Sequence, residues 1–209
     1  GFHWPKGFGK QDGQEFNNLE ETAAASGCSL LVKREVLQKI GFFDEDYFLY
    51  GEDTDLTWRA RLYGYEAMYV PSSVVYHRCG AAVKKTYGDL EKLYFLERNR
   101  TMTLLKNYSV KALLLLLPMI AFIEFCLYSY FIFILKAPFL KLRGHAWILK
   151  NLKRIIQKRA RIQNMRRVHD SRIVSLFVSE FSEYEEAPTL ARTLDPILKT
   201  YYCMVSNLI

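Results

Sequence analysis

Ile40-Gly41-Phe42-Phe43-Asp44-Glu45-Asp46-Tyr47-Phe48-Leu49-Tyr50-Gly51-Glu52-Asp53-Thr54-Asp55-Leu56 is the stretch on which the reading of this chain turns. Its acids, Asp44, Glu45, Asp46, Glu52, Asp53 and Asp55, stand among Phe48, Leu49 and Tyr50, with Trp58 just beyond. A helix is expected from Asp53, with Leu56, Trp58, Ala60 and Leu62 as apolar positions and Gly64 as its stop. Asp53 and Asp55 then fall in its first turn, where the helix dipole favours carboxylates. A calcium loop is not expected, because the spacing lacks alternate oxygen ligands and a glycine at the sixth position. One reading is a solvated acidic loop running into a helix N-cap. The other is a carboxylate held at a wall of large apolar side chains, placed to accept a proton from a bound hydroxyl.

Outward from this stretch, residues 1–26 read as a loop. Cys28 to Val32 suits a short buried strand, and Lys33 to Ile40 has helical spacing with Gly41 as a left-handed stop. Downstream, Glu66 to Val70 and Val74 to His77 read as strand pieces broken by Pro71-Ser72-Ser73. Asp89 is placed to cap a long helix towards Asn107.

The order and spacing of Gly27 to Val36, Ile40 to Leu56, Arg59, Gly64-Tyr65 and Val74-Val75-Tyr76-His77 resemble the acceptor half of a family 2 glycosyltransferase. The branch is the rhamnosyltransferase-like enzymes of surface-polysaccharide biosynthesis, and the resemblance covers roughly residues 20–108. It implies an α/β fold, the acceptor-side half of a GT-A fold, followed by an α-helical, membrane-associated region. It also implies inverting transfer of a sugar from a nucleotide-sugar donor to a hydroxyl of a glycan or lipid-linked acceptor. In this family the Asp of the Glu-Asp pair is the general base, which maps onto Asp53, while Glu52 orients acceptor or base. Asp55 is the weaker candidate for base. Tyr50, Trp58 and Arg59 are the implied acceptor-binding residues, and Arg98 and Arg100 lie on the donor side. His77 is the implied ligand of a divalent metal, Mg²⁺ or Mn²⁺, that neutralises the leaving diphosphate. The family's nucleotide-binding half and its Asp-x-Asp motif are expected before residue 1, since Asp12 lacks a second Asp at the required spacing. The chain then reads as a fragment of a longer enzyme or as a remnant that needs a partner chain. A non-catalytic, membrane-anchoring scaffold is the alternative.

Composition frames these readings. Half of the 209 residues are apolar and 24% are charged, which excludes a disordered chain and a collagen-like repeat. Four scattered cysteines, Cys28, Cys79, Cys126 and Cys203, give neither a zinc spacing nor a disulfide framework. The formal charge of +7 is uneven: residues 1–100 carry −2 and residues 101–209 carry +9. Three segments follow, 1–108 catalytic, 109–140 apolar and membrane-associating, and 141–209 basic helices and tail.

The apolar stretch at 110–135 is long enough to span a bilayer, with Glu124 near its middle. Residues 141–167 then hold ten Lys/Arg and no acid, with apolar residues interleaved, as in one or two basic amphipathic helices. A single span starting from a cytosolic catalytic part would carry those ten charges across the membrane, against the positive-inside bias. A monotopic or re-entrant association with the cytoplasmic face, bent at Pro118 and Glu124, is therefore expected, with the basic helices on anionic headgroups. A single span and a helical subdomain packed on the front half are the other options. Nucleic acid is not an expected partner, because the basic stretch offers no stacking platform.

Overall fold

The computed structural model describes residues 10–78, 81–176, 193, 195–206 and 208–209. Helices dominate them: α1 (Arg34–Ile40), α2 (Glu52–Tyr63), α3 (Ala81–Asn107), α4 (Val110–Phe133), α5 (Pro138–Lys150), α6 (Leu152–Met165), α7 (Asp170–Val174) and α8 (Asp195–Ser206). Strand pairing among the described residues is confined to β1 (Glu20–Glu21) and β2 (Met68–Tyr69), antiparallel, with Glu20 opposite Tyr69. The expected α/β architecture, the acceptor-side half of a GT-A fold, is thereby overturned.

The physical reason lies in how each element closes its backbone hydrogen bonds. A helix satisfies them within its own segment, whereas an extended run needs a neighbouring chain to complete a ladder. Cys28–Val32 opens in a turn, with Ser29 N donating to Ser26 O at 3.2 Å, and neither it nor Val74–His77 joins a described ladder; Val74 and Tyr76 face solvent. Only the Glu66–Val70 piece finds a partner, at Met68–Tyr69.

Helix punctuation follows the residues expected to set it. Gly41 (φ 83°) ends α1 and Gly64 (φ 104°) ends α2, each in the left-handed half of φ space. Gly88 (φ 78°, ψ 171°) interrupts α3, so its regular part begins at Asp89. Ser109 caps α4 by accepting from Ala112 N at 3.0 Å. The bend expected within 110–135 does not occur: α4 runs unbroken through Pro118 and Glu124.

α5 and α6 are separated only at Asn151 and run beside α3 in the same direction. Their contacts step from Glu91–Arg143, through Arg98 over Trp147 at 4.4 Å, to Asn107–Gln163. α4 returns in the opposite sense beside them. One core gathers Trp58 and Leu62 of α2 with Leu104, Tyr108, Ala112, Ile162 and Ile173. A second joins Tyr47 to Met102, Ile148 and Ile155, and a third joins Val36, Ile40 and Leu56. The basic helices thus pack on the front of the chain, and the segments 1–108 and 141–209 share core residues.

Candidate active site

The acidic turn is built by charge pairing. Asp44 opens a 3₁₀ turn over Glu45–Tyr47 by accepting from Asp46 N at 3.0 Å. Its other contacts are cations from two helices, Lys106 Nζ of α3 and Lys158 Nζ of α6, each at 2.5 Å. Asp46 takes Lys158 at 2.6 Å and Arg154 at 2.9 Å. Burial works to push the Asp44 carboxyl up, but the Lys106 and Lys158 ammonium groups hold it down, at about 2. Basic residues expected at a membrane surface are therefore partly spent here, as are Arg159 and Arg166, which donate to backbone carbonyls of Tyr108 and Asn107.

Beyond Tyr47 the backbone is strained. Leu49 N donates to Tyr47 O at 2.7 Å around Phe48 (φ 60°, ψ −58°), the costly hand of γ-turn, and Tyr50 is again left-handed at φ 64°. Asn99 of α3 holds this loop by donating from Nδ2 to the carbonyls of Tyr47 (3.0 Å), Leu49 (2.7 Å) and Tyr50 (2.6 Å). Arg98 adds donations to Asp46 O and Tyr47 O, both at 2.7 Å. Gly51 (φ 83°) then feeds the chain into α2 with Tyr47 and Asn99 packed close against it.

Asp53 stands on the first turn of α2, half-buried. Its Oδ2 accepts from Gly27 N at 2.8 Å and its Oδ1 from Thr54 N at 2.7 Å. Beside it, the Glu52 Oε2 and Tyr50 Oη atoms are buried and make no hydrogen bond. Burial, and then the Asp53 charge, raise the Glu52 carboxyl above its ordinary range. Burial, and then Glu52, raise the Tyr50 phenol. Two polar atoms out of water and without a partner are costly.

The other expected site residues are spent on the fold. Asp55 is wholly buried; it takes Arg59 Nε at 2.8 Å, Tyr47 Oη at 3.0 Å and Lys106 Nζ at 3.0 Å. Burial alone would raise its carboxyl, but Lys106 and Arg59 hold it low. Arg59 also donates to Ile40 O at 2.7 Å and Phe42 O at 2.9 Å, tying α1 to the turn. Trp58 faces the core, edge-on to Tyr108 at 4.9 Å. Trp58 and Arg59 are thus buried in the fold, and the Asp55 carboxylate is held by those partners. Arg98 lies under the turn, and Arg100 pairs with Glu97 and Glu124, so neither is presented to a donor.

His77 lies on the exposed extended segment after β2. No group of three His, Cys, Asp or Glu side chains capable of holding a cation exists among the described residues.

The Arg98-Asn99-Arg100 element stood out in the sequence without a role for Asn99, and Thr103 and Lys106, which also support the turn, were missed. Their signal was available: polar residues three and four apart, on the face of α3 that also carries Phe95 and Met102.

No family model and no solved structure matches the chain. Two curated relatives do match: the N-acetylglucosaminyl-diphospho-decaprenol L-rhamnosyltransferase of Mycobacterium tuberculosis, in strains CDC 1551 / Oshkosh and ATCC 25618 / H37Rv. Each is 48% identical over 52 residues, which are 25% of this chain and 17% of the relative's length. The similarity supports a relationship to a glycosyltransferase. One helix, α4, is long and apolar enough to be compatible with membrane association.

Proposed function

We propose that this chain takes part in the transfer of a sugar from a nucleotide-sugar to a hydroxyl of a lipid-linked acceptor, with Asp53 as general base. The supporting observation is the Asp53 carboxylate, anchored at both oxygens beside the orphaned Glu52 and Tyr50 atoms. In the reaction, Asp53 takes the proton of the acceptor hydroxyl as that oxygen bonds to the anomeric carbon. The bond from that carbon to the departing diphosphate oxygen breaks on the opposite face, which inverts the configuration. In this reading Tyr50 Oη donates to an acceptor oxygen and Glu52 exchanges a hydrogen bond with the next hydroxyl, a role supported by their buried, unpartnered oxygens. The sugar class and the lipid acceptor rest on the printed name of the relatives.

Asp53→Asn in the gene's full product tests this reading. The amide oxygen can still accept from Gly27 N, so the fold should be kept while transfer falls by about 10²–10⁴. Transfer at the wild-type rate would remove Asp53 from the role.

A further inference from the structure

α4 is apolar all round, yet only one of its faces is covered. Leu113, Leu116 and Ile120 pack on the core, Glu124 pairs with Arg100 and Lys141, the Tyr128 hydroxyl meets His145 Nδ1 at 2.6 Å, and Phe131 is buried. These positions recur every three or four residues along the helix, so the protein body lies against its whole length. On the flank about a quarter-turn round the helix, Leu114 (65% exposed), Ala121, Phe125 (70% exposed) and Ile132 face outward. The exposed Leu142 and Leu149 of α5 lie on that helix's flank away from Gly144, which touches Arg98 of α3.

Residues 110–169 hold twelve Lys/Arg and a single carboxylate, Glu124, which is turned inward onto Arg100 and Lys141; Lys141, Arg143, Arg154, Lys158 and Arg166 pair with acids of the protein body. Lys111 and Lys136 are exposed at the ends of α4, and Lys150 and Lys153 are exposed beyond Leu149.

We infer that this face is a membrane-docking surface, on which α4 lies in the plane of an anionic leaflet rather than crossing it. At 24 residues α4 measures about 36 Å and could reach across a bilayer. A crossing, however, would put Glu124 about 4 Å from the midplane, together with the Arg100 and Lys141 charges that it meets and the Glu97 that pairs with both. Lying flat places those four groups on the water side and the row from Leu114 to Ile132 among acyl chains, with the flanking lysines at headgroup level. The inference does not rest on the chemistry of Asp53.

Three measurements on the full chain test it. The wild type should float with phosphatidylcholine vesicles containing phosphatidylglycerol, bind phosphatidylcholine alone far less, and leave the membrane in alkaline carbonate. Leu114→Glu combined with Phe125→Glu, both at exposed positions, should lower partitioning about tenfold or more with the helical signal unchanged. Nitroxides at positions 114, 121, 125 and 132, on a background with its cysteines replaced by serine, should report one shallow depth. A label at 121 at the bilayer centre with 114 and 132 near opposite headgroup layers, or carbonate resistance, would overturn the proposal in favour of a span. Failure of the wild type to float, as when a second copy or another protein covers the face, would overturn it too. If the cysteine-free background does not fold, flotation and carbonate release decide alone.

Discussion

The side-chain amide of Asn99 lies 2.6 Å from the carbonyl oxygen of Tyr50, three residues before Asp53, so the middle of α3 sets how the chain enters α2. The same amide serves Tyr47 and Leu49, and all three carbonyls point at one nitrogen. Asn99→Ala should therefore release the turn at a cost of about 2 kcal/mol, because buried carbonyls lose their donor. Asn99→Asp should be worse, since it sets a carboxylate oxygen against those carbonyls. Urea unfolding of the two variants checks the order; an aspartate variant as stable as wild type would contradict the clamp.

Asp55 and Lys106 form the buried pair under the same turn. Asp55→Ala leaves Lys106 with Asp44 alone and Arg59 with backbone carbonyls alone, and is expected to cost about 3 kcal/mol. Adding Lys106→Met should recover part of that loss, which a double-mutant cycle by thermal unfolding would show.

Acid should loosen the turn from the Asp44 side. Its carboxyl titrates at about 2 in the fold, against roughly 4 in an unfolded chain. As pH falls from about 4 to about 2, the unfolded chain takes up the proton first, so stability drops through that window and is fully present above it. Allowing for solvent screening, the Asp44 share is about 1–2 kcal/mol. Unfolding free energy measured from pH 5 to pH 2 should show the slope, and Asp44→Asn should flatten it.

Tyr50→Phe separates function from fold. The Tyr50 hydroxyl has no partner in the protein, so its removal should leave the melting temperature unchanged or slightly raised. If the hydroxyl holds the acceptor, the same variant should lower kcat/KM by roughly tenfold, the worth of one hydrogen bond. Unchanged kcat/KM would take Tyr50 out of the site.

Glu124→Leu distinguishes a protein-facing acid from a lipid-facing one. With Arg100 and Lys141 left to share Glu97 alone, stability should fall by about 1–3 kcal/mol. A variant that is more stable, and more firmly bound to vesicles, would mean that Glu124 had faced lipid.

Much of the secondary structure was legible because its signals are local. Gly41, Gly64 and Asp89 marked helix ends, and the ends of α4 fell within two residues of the apolar run. The strands were misjudged for a physical reason: an apolar run such as Val74-Val75-Tyr76 reports a preference for extended backbone, but pairing depends on a neighbour that the run does not encode. Of the site, Asp53, Glu52 and Tyr50 were visible in the motif and are brought together. Trp58, Arg59 and Arg98 carried the right chemistry for binding, yet each points inward. Which way a helical side chain points depends on what packs beside the helix, and the motif is silent on that.

The sequence by itself determined where helices start and stop, the basic balance of residues 110–169 and the anchoring turn that carries Asp53. These depend on φ preferences, side-chain charge and spacing along one segment. Only the tertiary structure decided that Glu124 faces Arg100, that Lys158 and Arg154 meet the acidic turn instead of solvent, and that Asp55 is buried while Asp53 is not. Those outcomes depend on which helices lie side by side, and burial of apolar surface between distant segments selects that arrangement.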